Sequence, residues 1–193
     1  MQSSLTPRFT LFFALALGIT FSACKKDPQE DFSTAGTMSC KYNGQDWTAI
    51  RFQNILIKGT DQASGVDSKR LDINAEAADG TQIILTITDY RDGIIGPCML
   101  IGDYDVDITA NQCSTTVTQN ICPSAIGLYL PEPSEVFVTE PDSGGFIRLD
   151  ICDGERTAIS GAFEFNVYDA TTGALHARIT DGVFNDVRYY TSQ

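Results

Sequence analysis

In residues 103–108 (DYDVDI) the side chains alternate: Tyr104, Val106 and Ile108 are apolar, and Asp103, Asp105 and Asp107 are charged. Period-two alternation places the two sets on opposite faces of a half-buried strand. The runs QIILTITDY, EVFVTE, FIRLDIC, GAFEFNVYD and ALHARIT read the same way and are rich in β-branched and aromatic residues. No window of a dozen residues carries a 3.6-residue period. Turn signals separate the runs: YNGQ (42–45), ADGT (78–81), PDSGG (141–145), CDGE (152–155), ATTG (170–173) and TDGV (180–183). Many short strands joined by such turns predict an all-β, antiparallel β-sandwich, with a barrel-like closure as the alternative, forming one domain over 37–193. Two longer irregular stretches, 59–70 and 109–123, interrupt it. In the last hairpin Phe163, Phe165 and Val167 are expected to face inward, opposed by Leu175, Ala177 and Ile179.

The first 23 residues follow a different pattern. FTLFFALALGIT (9–20) is an apolar run preceded by one charged residue, Arg8, and followed by the small residues Ser22 and Ala23. Those are the three regions of a secretory signal peptide. A membrane span needs about 20 apolar residues, so the run is expected to be a leader that is removed. FSAC (21–24) resembles a bacterial lipobox, which implies lipidation of Cys24 as the new N-terminus. One acyl chain such as palmitate binds a bilayer marginally and two or more hold it stably. The mature chain is therefore expected to be anchored to a membrane without spanning it. The polar stretch KKDPQEDFSTAG (25–36) completes a unit, 24–36, of lipidated cysteine and flexible tether. Its charged start is similar to the export tags of Bacteroidota surface lipoproteins, which implies the outer membrane, with the cell surface favoured over the periplasmic face.

Loss of Arg8 with the leader moves the formal charge from −12 to −13. Such a chain repels nucleic acid and anionic headgroups, so membrane contact is assigned to the lipid. With Cys24 acylated, Cys40, Cys98, Cys113, Cys122 and Cys152 remain, in an oxidising compartment. Five thiols form at most two bridges, in fifteen ways. Cys113–Cys122 is favoured, because a short turn-capable loop closes with about 2 to 3 kcal/mol of stabilisation. Cys98–Cys152 is the second pair. Cys40 shares the face of Met38 and Tyr42 and suits a buried free thiol. With a single histidine, His176, and no CxxC, zinc is not expected.

NGQDWTA (43–49), SGAFEFNVYDATTG (160–173) and ITDGVFNDVRY (179–189) occur in that order behind the lipobox. This arrangement resembles a Bacteroidota lipoprotein family classed as a domain of unknown function, with NGxxWxA near the N-terminus and a terminal SGxFxF…ITxGxF hairpin. The resemblance covers the two ends of the domain and implies a β-sandwich-like fold with no assigned activity.

Candidate chemistry is sparse. Alternate carboxylates on a strand stand about 6.5 to 7 Å apart, so Asp103, Asp105 and Asp107 are weak metal candidates. An EF-hand loop starting at Asp103 needs glycine and glutamate where this chain has Ile108 and Ser114. The simpler reading is a solvated face that guards a sheet edge. His176, expected on the polar face of its strand, has no GxSxG serine to serve. Trp47 is read as covering one end of the core, and Tyr90, Tyr129, Tyr189 and Tyr190 carry no assignment. No cofactor or catalytic residue is expected. The function read from these features is a non-catalytic binding or structural module, contacting a glycan, an apolar ligand or an envelope protein through loops 59–70 and 109–123. The alternative is an envelope hydrolase, of glycosidase or esterase type, using a pair drawn from the 25 acidic residues.

Overall fold

The computed structural model describes residues 35–60, 67–90, 96–106, 124–140 and 143–192. Cys24, Asp107, Cys113 and Cys122 lie outside the described residues, as do 61–66 and 109–123 of the two loops expected to carry contacts.

Eleven strands are described: β1 (Thr37–Tyr42), β2 (Gln45–Thr60), β3 (Asp67–Ala77), β4 (Gln82–Asp89), β5 (Gly102–Asp105), β6 (Ser124–Glu132), β7 (Glu135–Val138), β8 (Gly145–Asp153), β9 (Ala158–Asp169), β10 (Leu175–Arg188) and β11 (Tyr190–Ser192). All pair antiparallel except β11, which runs parallel to β2. The all-β, antiparallel expectation holds. Pairing runs β10–β1–β2–β3–β4–β6–β7–β9 and returns from β9 to β10, while β8 and β5 branch from β9. The result is one sheet bonded as a ring, close to the barrel-like alternative but not a regular barrel.

The alternation explains which way each strand faces. On β4, Ile83, Leu85 and Ile87 are buried while Ile84 and Thr86 face outward. On β9, Phe163, Phe165 and Val167 point inward, joined by Ala177, Ile179 and Phe184 of β10. Fully burying one such side chain contributes about 1.5 to 3 kcal/mol. Among the described residues aromatic rings pack the interior: Phe163 lies 5.9 Å from Phe165 and 6.4 Å from Phe184, centroid to centroid. Phe165 reaches across to β6, where a Cβ on Gly127 would come within 2.5 Å of its ring. Glycine at 127 is thus required by a close approach, not by a turn.

The two ends of the ring differ. At one end, Tyr42, Tyr129, Phe137 and His176 form an aromatic plug. At the other, residues 96–101 form a strap across the opening, tied to β8 by a disulfide between Cys98 and Cys152. Nζ of the fully buried Lys69 donates to the Cys98 carbonyl at 2.6 Å, and Lys58 donates to the Gly96 carbonyl at 2.7 Å. Beneath the strap, the Tyr104 hydroxyl lies 2.8 Å from Oδ2 of buried Asp89 and 2.7 Å from the Leu100 carbonyl. Lys69 and Asp89 are direct cross-strand partners.

Three local expectations are corrected. Leu175 is exposed and does not oppose the inward face of β9, because the β9–β10 register shifts between Leu175 and Ala177. That shift turns His176 away from the polar face and into the aromatic plug. The stretch expected to be irregular from 59 is strand at both ends, since Gly59 and Thr60 pair with Ser68 and Asp67.

Candidate functional site

On one edge of β9, Ala158–Phe165 pairs with β8, and Tyr168 and Asp169 pair with β7. The wall forks where one partner gives way to the other. Asn166 sits at that fork, and its Nδ2 donates to the Ser143 carbonyl at 3.0 Å. Gly144 and Gly145, at φ 71° and 135°, bring the chain into β8 through backbone conformations that favour glycine. A Cβ on Gly145 would fall 2.5 Å from the Glu164 carbonyl oxygen and 2.8 Å from the Val106 side chain. Those atoms already fill the space, so only glycine fits where β8 meets β9.

Two adjoining grooves share Gly145 and Glu164. One, of about 440 Å³, runs from Ser143 past Asn166 to Arg178 and Thr180. The other, of about 460 Å³, is lined by Asp103, Asp105, Phe146, Arg148 and Glu164. Sheet register arranges these side chains in rows. Asp105, Phe146 and Glu164 lie side by side across β5, β8 and β9, Asp103 faces Arg148 in the next row, and Asn166 faces Arg178 on the far side. Successive rows stand about 7 Å apart.

The charges are mixed. Arg148 donates through Nε to Oδ1 of Asp150 at 2.7 Å. Among the described residues, no hydrogen bond or ion pair engages the carboxylates of Asp103, Asp105 or Glu164. The Oγ of Ser143 is buried in the wall without a hydrogen-bond partner there. No group of three His, Cys, Asp or Glu side chains among the described residues is placed to hold a metal ion. The grooves offer separated acceptors and donors around one half-buried ring, an arrangement suited to recognition.

The other candidates sit elsewhere. The Tyr42 hydroxyl and Nε2 of His176 are hydrogen-bonded at 3.0 Å, Tyr42 stacks on Tyr129 with centroids 4.4 Å apart, and His176 stacks on Phe137 at 3.4 Å. Burial, with Tyr42 close by, pushes the Tyr129 hydroxyl up to about 12. Cys40 is buried and free, and burial pushes its thiol up to about 12. Trp47 is buried, and its Nε1 donates to Oγ1 of Thr81 at 2.8 Å. Tyr189 is buried beneath the strap with its hydroxyl 3.5 Å from Sγ of Cys98, Tyr190 is exposed, and Tyr90 is half-buried.

Asp103 and Asp105 thus line a groove, together with residues that sequence reading did not single out: Glu164, Asn166, Phe146, Arg148 and Arg178. Glu164 and Asn166 are the polar positions of an alternating strand and read as solvated. The available signal was the pair Gly144–Gly145, read as a turn. No family model, curated protein or solved structure matches this chain.

Proposed function

We propose that this chain is a lipid-anchored lipoprotein of the outer membrane or cell surface, held through Cys24, whose β domain is a non-catalytic binding module. The leader, the FSAC stretch and the likeness to a Bacteroidota lipoprotein family support the anchor. The observation that carries the binding reading is the division of the ring into an interior packed with aromatic rings and a polar trough on its outer wall. Phe163, Phe165 and Phe184 occupy the inside, so a ligand is received on the surface. The fork at Asn166 becomes the contact region, with residues 25–36 giving it reach from the membrane.

Two measurements test this reading. Metabolic labelling with a fatty acid marks the unaltered chain and not Cys24→Ala; label on the variant removes the anchor. The purified chain turns over no member of a broad panel of glycosidase and esterase substrates. Turnover that is lost on Glu164→Gln or Asp105→Asn would replace the module by an envelope hydrolase acting at the same groove.

A further inference from the structure

We infer that the trough at the β8–β9 fork binds a neutral oligosaccharide, an assignment that rests on the binding-module reading. Three carboxylates, Asp103 beside Arg148, Asp105 and Glu164, none of them in a hydrogen bond or ion pair among the described residues, disfavour anionic ligands by like-charge repulsion. The polar lining disfavours a purely apolar ligand, whose burial would strip water from these groups without replacing its hydrogen bonds. Donor-bearing residues line the same grooves: Arg178, Thr180 and Arg148, whose guanidinium also bonds Asp150. A sugar hydroxyl is both donor and acceptor. It can therefore give its proton to a carboxylate while accepting from a guanidinium, a bridge that neither an ammonium nor a carboxylate ligand completes. Phe146 adds an apolar ring between Asp105 and Glu164 in the same row, where the C–H face of a pyranose can lie flat. The Asn166 amide, already tied to the Ser143 carbonyl, extends the polar lining into the adjoining groove. Polar groups held in place before the ligand arrives lower the ordering cost of binding.

The test applies the full acylated chain, purified in detergent, to an array of unsulfated, carboxylate-free oligosaccharides. Titration calorimetry follows on the strongest hit, with tetralysine as a cationic comparison. The expected result is a saccharide ligand whose affinity falls about tenfold or more on Phe146→Ala and on Glu164→Gln. Lys58→Ala, at the strap, leaves it unchanged, and the urea midpoints of both groove variants stay at that of the unaltered chain. Raising salt from about 50 to 500 mM changes saccharide affinity little, because no net charge is exchanged. An array without hits overturns the inference, as does binding of tetralysine alone that is lost at high salt. Saccharide binding that survives both groove substitutions overturns the assignment to this trough and leaves the module reading standing. Hydrolysis of the bound sugar, seen by mass spectrometry, upholds the ligand class and overturns the module reading.

Discussion

Cys40 carries a thiol that burial holds in its neutral form, from an ordinary value of 9.0 up to about 12. Tyr129 moves in the same direction, from 10.0 to about 12. Between about pH 9 and 12 the unfolded chain has lost protons that the folded chain retains, so stability falls as pH rises through that window. Below pH 9 both contributions are fully present. The urea midpoint is therefore expected to hold steady from pH 7 to about 8.5 and then decline toward pH 12, with a shallower decline in Cys40→Ala. The same burial makes Cys40 a poor nucleophile: iodoacetamide at pH 8 leaves it unlabelled in the native protein and labels it after denaturation, as read by mass spectrometry. Its seclusion was legible beforehand, because Met38, Cys40 and Tyr42 share one face of an alternating run. The position of His176 was not, because a register shift that turns one residue leaves no mark on local composition.

Among the elements, the strap at 96–101 depends on its bridge. Cys98 and Cys152 are 54 positions apart in the chain, and closing a loop of that length stabilises by about 4 kcal/mol in the chain-entropy argument. The double variant Cys98→Ser with Cys152→Ser is expected to lose a stability of that order, measured as the shift in urea midpoint at constant slope. The approach of β6 to β9 makes a second prediction. Gly127→Ala pushes a methyl group into the Phe165 ring and should cost about 1 to 3 kcal/mol through overpacking. Combining it with Phe165→Leu recovers part of that loss, and a double-mutant cycle with a non-zero coupling term is the measurement that checks it. Strand identity was legible in the alternation of β4, β8 and β9. The sixteen residues of β2 were not. One of its edges pairs first with β1 and then with β11, and such a change of partner depends on residues more than a hundred positions away.

At the scale of the whole molecule, β11 lies outside the bonded ring and adds to its wall along one edge of β2. β11 covers Ile55–Ile57 of β2 with three parallel pairings. A chain ending at Tyr189 leaves that apolar edge open, and an open edge recruits other chains. Light scattering during size-exclusion chromatography is expected to find the truncated form associated and the full chain dispersed. At the free end of the strand order, β5 presents Asp103 and Asp105 outward, and their charge opposes edge-to-edge pairing, as the alternation suggested. That solvated row was legible; the trough it shares with Glu164 and Arg178 was not. Those residues come from β5, β9 and β10, and only the fork in the β9 partners gathers them on one surface.

By itself the sequence determined the all-β class, the facing of the strands and the burial of Cys40. Each of these follows from period-two chemistry acting over a few neighbouring residues. Tertiary structure alone decided the closure of the ring, the seating of His176 against Phe137 and the outer trough, and it formed the Cys98–Cys152 bridge, the second of the two pairs expected from the sequence. Each depends on register and on partners distant in the chain, which local alternation leaves open because the same pattern of side chains is satisfied by any strand order that buries the apolar face.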